Sequence, residues 1–263
     1  MEVTNLGPVG AQIDGMDLKS ILDDQEIISE IRKAFIDNSV LVFKNQNLNP
    51  SHLLSVAEII GLPMKHPIFP GLSEHPEIIK IENLGEMYHT NAHWHSDVTF
   101  EEEPPDATFL YSLEVPDEGG DTLFSNQFLA YESLADDVKL MLSDKKASHS
   151  NASILSLMGA DTSNAKRVLH PVFRTHPDSK KKALYVTQAF VEKIEEMDIK
   201  KSEDTLAILY SAASKEEFTY RHKWSKGDLL IWDNRSVQHF AEHGYGNKVR
   251  TMHRITTSGS KPF

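Results

Sequence analysis

The chain has no cysteine among its 263 residues. Disulfides, thiolate ligands and iron–sulfur clusters are thereby excluded, and any metal must rest on nitrogen and oxygen donors. It also lacks an apolar run long enough to span a bilayer. The opening residues Met1-Glu2-Val3-Thr4-Asn5-Leu6-Gly7 do not show the basic-then-apolar pattern of a secretory leader. No membrane association is expected, and the cytoplasm is the expected setting. Positive charge is scarce: 27 Lys+Arg against 39 Asp+Glu give a net charge of −12, which disfavours nucleic acid as a partner. Repeats, low-complexity tracts and long linkers are absent as well, so residues 1–263 read as one domain.

What is present is patterned. Residues 24–38 place Ile27, Ile28, Ile31, Ala34 and Phe35 at helical spacing, and Val40-Leu41-Val42-Phe43 reads as a buried strand. Asn49 followed by Pro50 marks the start of a second helix that runs through Leu53, Leu54, Ala57 and Ile60 to Gly61. From residue 77 onward short strand-like runs dominate, at 77–82, 106–114, 121–124, 167–174, 183–187, 218–223, 228–232 and 248–257. Helices are predicted at 128–143 and 202–213. The sum is a mainly β chain with flanking helices (α+β), matching a double-sheet jelly roll of the cupin type. Residues 148–166 form a Ser/Asn-rich excursion, either a lid over a site or a long surface loop.

Two stretches carry the chemistry. The first is Asn91-Ala92-His93-Trp94-His95-Ser96-Asp97-Val98-Thr99-Phe100, and the second is Trp232-Asp233-Asn234-Arg235-Ser236-Val237-Gln238-His239. On an extended strand His95 and Asp97 share one face, and His93 falls on that face too, so a His93/His95 ligand pair is an alternative to His95/Asp97. With His239 the set provides two imidazoles and one carboxylate. That combination leaves three metal positions open and suits Fe(II) enzymes that use O2. Arg250 and Arg254 lie four residues apart, about 13 Å along a strand at ~3.3 Å per residue. Two inward guanidiniums need anions, and a ligand carboxylate would supply one.

These residues resemble the taurine/2-oxoglutarate dioxygenase family, which also includes aryloxyalkanoate and alkylsulfate dioxygenases. The resemblance runs through Leu6-Gly7-Pro8-Val9-Gly10-Ala11, His66-Pro67-Ile68-Phe69-Pro70, Trp94-His95-Ser96-Asp97, Gly119-Gly120-Asp121-Thr122-Leu123 and Leu169-His170-Pro171-Val172-Phe173-Arg174-Thr175-His176-Pro177. It ends at Trp232-Asp233-Asn234-Arg235, Gln238-His239, Met252-His253-Arg254 and the terminal Lys261-Pro262-Phe263.

The resemblance implies a double-stranded β-helix with Fe(II) held by His95, Asp97 and His239, which are then the catalytic residues. It further implies 2-oxoglutarate bound through Thr122 and Arg250, with O2 as second cosubstrate. A small anionic substrate is expected near His66, Asn91, Phe190 and Arg254. A homo-oligomer is expected on the same ground. Phe69 stands where taurine-using relatives carry tyrosine, and Ser153-Ile154-Leu155 replaces the pair that lines their pocket. The expected reaction is hydroxylation with release of succinate and CO2. The alternatives are a non-catalytic metal-binding jelly roll and a zinc hydrolase on the same ligands; the latter has no His-Glu-x-x-His helix to support it.

Overall fold

In the computed structural model residues 1–83 and 93–263 are described. The helix Gln25–Asn38 starts because Asp24 accepts hydrogen bonds from the backbone nitrogens of Glu26 and Ile27, each 3.1 Å. It stops where Ser39 turns left-handed at φ 62°. Asn49 caps the helix Pro50–Glu58 through the His52 nitrogen at 2.8 Å. Both helices cover one face of a mixed sheet with strand order Glu2–Asn5, Ala11–Asp14, Val40–Phe43, Leu229–Asp233, Ala107–Glu114, Thr251–Thr257 and Pro63–Met64; Ile79–Glu82 also pairs with Thr251–Thr257.

Alternation along these strands divides the core. Leu41, Phe43, Phe109, Leu229, Ile231 and Ile255 pack against Ile28, Ile31, Phe35, Leu53 and Val56 of the helices. The intervening residues Val40, Val42, Leu110, Leu230, Trp232 and Met252 face the other way, against Phe124 and Val237. Phe124 and Val237 belong to a second sheet, ordered Thr219–His222, Thr122–Asn126, Val237–Ala241. Two sheets thus face each other across one apolar layer, as expected of a jelly roll. Trp232, 1 % exposed, spans that layer and contributes on the order of 2–3 kcal/mol by burial alone. Among the described residues no helix is long and apolar enough to cross a membrane.

Several expectations are corrected. The helix predicted at 128–143 is two helices, Gln127–Glu132 and Asp136–Leu142. Ser133 closes the first with its hydroxyl on the Ala130 carbonyl, and Ala135 is extended so that Leu134 can enter the core. The strand predicted at 167–174 is divided at Val172 into Arg167–Pro171 and Phe173–Thr175, which belong to different sheets. The strand predicted at 248–257 starts only at Thr251, so Arg250 precedes it.

The 148–166 excursion is not structureless. Its start belongs to the buried strand Lys146–Ser150, and Asn151 then leads into the helix Ala152–Leu157. Strands at Glu2–Asn5, Ala11–Asp14, Val191–Ile194 and Val237–Ala241 were not anticipated.

Candidate metal centre

The site lies where one end of the second sheet meets the segment after residue 92. His95 and His239 form an antiparallel bridge, with nitrogen-to-carbonyl bonds of 3.1 and 2.8 Å in the two directions. Ser96 adds a hydroxyl bond to the Val237 carbonyl at 2.8 Å. The expected strand through Asp97 does not form: the chain turns there, and Val98 adopts φ 53°. A β-branched residue at positive φ costs about 1–3 kcal/mol, strain that surrounding packing must hold in place. The turn still brings Asp97 inward.

The three ligand atoms of His95, Asp97 and His239 all lie within 4.8 Å of one another, and each residue is buried. Asp97 Oδ1 is 3.7 Å from Nε2 of either histidine. His95 Nδ1 donates to the His93 carbonyl at 2.8 Å, which leaves the Nε2 lone pair facing the carboxylate. His93 itself is exposed and contributes its backbone rather than its ring. Burial pushes the His95 and His239 imidazoles below their usual range, so both stay neutral, as metal binding requires. Burial alone would raise the Asp97 carboxyl. Arg254 above all, with the hydrogen bond from the Thr108 hydroxyl, holds it well below the usual carboxylate range. A hard anion and two neutral imidazoles fit a divalent first-row metal.

Arg254 Nη2 stands 2.7 Å from Asp97 Oδ1, without the angles of a hydrogen bond. Its N–H groups at Nε and Nη2 have no acceptor among the described residues. Arg250 is buried too, and among the described residues no carboxylate lies within ion-pair distance of it. Desolvation lowers its pKa. Gly120 permits the approach: a Cβ there would stand 3.4 Å from Arg250 Cδ and Nε, and its φ of +74° favours glycine. Beside Arg250, Trp224 donates its indole N–H to Thr122 Oγ1 at 3.0 Å and sets its ring 6.0 Å from the guanidinium. With that lone pair occupied, the Thr122 hydroxyl proton is available to an incoming anion. A buried guanidinium with no carboxylate beside it among the described residues, and an oriented hydroxyl, fit the far carboxylate of a dicarboxylic oxo acid.

The other expected residues are placed as follows. His66 is half-buried; its Nδ1 accepts from the backbone nitrogens of Ile68 and Phe69, both 3.1 Å. Burial, then Arg254, lowers its pKa to about 4, while Asp97 opposes the shift. Phe190 presents its ring to His95 at 6.1 Å and Phe100 at 5.3 Å. It shares an apolar cluster with Val98, Phe100, Ile68 and Ile154 of the 152–157 helix. Asn91 lies outside the described residues.

Sequence reasoning missed Thr108, Trp224 and Asn234, which orient Asp97 and Thr122. Asn234 stood in a quoted motif; Thr108 gave no signal beyond its inward parity. The turn carrying Asn234 is held by Asp233, which accepts from Arg235 N, Nε and Nη2 and from His176 Nε2 at 2.7–2.9 Å.

Fold and site together define a jelly-roll dioxygenase with a two-histidine, one-carboxylate centre. The family model described as "Taurine catabolism dioxygenase TauD, TfdA family" matches residues 2–256, and the chain belongs to that family. It is 31% identical to the alpha-ketoglutarate-dependent sulfate ester dioxygenase of Pseudomonas putida, over 97% of this chain and 88% of that protein. A taurine dioxygenase structure from Burkholderia xenovorans superposes with a TM-score of 0.88 at 30% identity, covering 99% and 90% of the two chains. The structure of AAD-2 with Mn(II) and N-oxalylglycine gives 0.85 at 28% identity, covering 100% and 99%. The protein is an Fe(II)- and 2-oxoglutarate-dependent dioxygenase, an oxidoreductase that consumes O2. The reading as a non-catalytic metal-binding protein is set aside.

Proposed function

We propose that His95, Asp97 and His239 hold the iron, that Thr122 and Arg250 bind 2-oxoglutarate, and that Arg254 receives the anionic head of a substrate with an apolar body. Bound Fe(II) supplies the redox chemistry by which O2 and 2-oxoglutarate convert a substrate C–H to C–OH, yielding succinate and CO2. The chain does the rest. Arg250 and Thr122 grip the far carboxylate and so fix the keto-acid end toward the metal ligands. Arg254, whose Nε and Nη2 have no hydrogen-bond acceptor among the described residues, binds the substrate anion beside Asp97 and sets which carbon faces the centre. Phe190, Val98, Phe100, Ile68 and Ile154 exclude water from that side. His66 completes the substrate contacts in this reading.

The observation that carries the oxo-acid assignment is the buried Arg250, with no carboxylate at ion-pair distance among the described residues, beside the Trp224-oriented Thr122. The apolar cluster favours an alkyl sulfate ester, another sulfonate or an aryloxy acid over taurine. Taurine's ammonium would be desolvated among Phe190, Ile68 and Ile154, and a buried cation needs a partner. If the hydroxylated carbon bears a sulfate ester or ether oxygen, the product collapses to an aldehyde and the freed group.

A panel of medium-chain alkyl sulfates, alkyl sulfonates, aryloxyacetates and taurine, assayed for succinate, tests this. Apolar-tailed anions are expected to stimulate succinate release well above taurine. Stimulation by taurine alone would overturn the substrate assignment and leave the reaction class standing.

A further inference from the structure

The two carboxylate oxygens of Asp97 sit in different surroundings. Oδ1 faces the histidine nitrogens, and Oδ2 accepts a hydrogen bond from Thr108 Oγ1 at 2.7 Å. The direction of that bond is forced from a distance. Trp232 Nε1 and the Asp97 backbone nitrogen are donors only, and both end on one oxygen, Asn234 Oδ1, at 3.1 and 3.3 Å. The other end of that amide is therefore Nδ2, which donates to Thr108 Oγ1 at 2.8 Å. Thr108 then has one proton left to give, and Asp97 Oδ2, on an ionised carboxylate, can only accept. Thr108 and Asn234 are fully buried and Trp232 is nearly so, which keeps competing water out. The relay runs one way, from indole to carboxylate.

We infer that Thr108 and Asn234 are positioning residues that tie down Asp97 Oδ2 and restrict Asp97 to one-oxygen ligation through Oδ1. The inference rests on the reading of Asp97 as a metal ligand. A carboxylate with both oxygens free can grip a cation with both. Here that would close one of the three positions that two histidines and one carboxylate leave for cosubstrate and O2. Thr108 supplies the opposing restraint, and Asn234 keeps the Thr108 proton pointed at the carboxylate instead of elsewhere.

The test is Mn(II) binding to the metal-stripped full-length protein by titration calorimetry, with Co(II) visible absorption as a reporter of coordination. Thr108→Val removes the donor, and Thr108→Ser restores it. The expected result is Mn(II) affinity changed on the order of 10- to 100-fold in Thr108→Val, with affinity close to the parent's in Thr108→Ser. The Co(II) bands should change in the valine variant and return in the serine variant. Thr108→Ala carries the same expectation where valine fails to fold by circular dichroism.

Parent-like Mn(II) affinity and Co(II) bands in a folded Thr108→Val, with only its melting temperature lowered, would show a merely structural threonine and overturn the inference. Asp97→Ala separates the two levels. Parent-like Mn(II) binding in that variant would remove the ligand reading and this inference together, whereas loss there with no change in Thr108→Val removes the inference alone.

Discussion

Arg254 holds Nη2 2.7 Å from Asp97 Oδ1, the same oxygen that lies 3.7 Å from Nε2 of His95 and of His239. One carboxylate oxygen therefore faces both the proposed metal position and the guanidinium proposed to receive the substrate. The two functions meet on a single atom, and this shapes what replacement of the arginine does.

Arg254→Gln is expected to act with opposite signs on the two ligands. The substrate anion loses a charge-assisted partner, raising KM on the order of 10- to 100-fold. Mn(II) affinity of the stripped protein should hold or rise, because a positive charge beside Asp97 has gone. A parallel loss of both affinities would show that Arg254 only shapes the site.

Arg250→Ala should raise the 2-oxoglutarate requirement by the equivalent of roughly 2–5 kcal/mol, as for one partner of a buried charge pair. Mn(II) binding should be spared. Trp224→Phe is expected to give a smaller effect of the same kind, since Thr122 loses the indole that orients it. Titration of N-oxalylglycine into the Mn(II) protein measures both, and unchanged affinity in Arg250→Ala would place the clamp elsewhere.

Buried histidines outside the centre make stability depend on pH. Burial lowers His170 from 6.5 to about 4, and moves His149 in the same direction. Between those values the unfolded chain binds the proton and the folded chain does not, so stability rises with pH across the window. It is complete above 6.5 and is lost as pH falls toward 4. The melting temperature of the metal-stripped protein should be level above about pH 7 and decline below. His170→Asn should flatten that decline; an unaltered profile would assign it to other groups.

Asp233→Ala leaves Arg235 buried against fewer anions and frees the turn that carries Asn234. The expected cost is about 3–5 kcal/mol in urea unfolding, typical of removing one partner from a buried pair. A change under 1 kcal/mol, roughly the value of a surface pair, would show that Asp106 and Asp178 suffice for Arg235.

Legibility in the sequence followed how local the determining physics was. The helices Gln25–Asn38 and Pro50–Glu58 were readable because Asp24, Asn49 and Pro50 act on their own next few residues. The strand Val237–Ala241 was not, because Gln238 and His239 are both buried and no polar–apolar alternation survives. Its inner face serves the metal centre, while Gln238 bonds the Val186 carbonyl at 2.7 Å on the outer side.

The cluster of His95, Asp97 and His239 was legible through motif and family resemblance; the strand reading of His95 and Asp97 fails, since Asp97 sits in a turn. Thr108 was invisible because a threonine in a strand is ordinary until its neighbours across the sheet are known. The 148–166 segment misled by composition: Ser148, His149 and Ser150 are polar yet buried in a strand.

In the proposed site His95, Asp97 and His239 hold Fe(II) while Thr122 and Arg250 deliver 2-oxoglutarate to it. An anaerobic visible titration of stripped protein with Fe(II), then 2-oxoglutarate, tests it most directly. The expected result is a charge-transfer band that appears only when both are present, is absent in Asp97→Ala, and needs far more 2-oxoglutarate in Arg250→Ala. No band from folded, iron-loaded parent protein, or an unchanged band in Asp97→Ala, would contradict it.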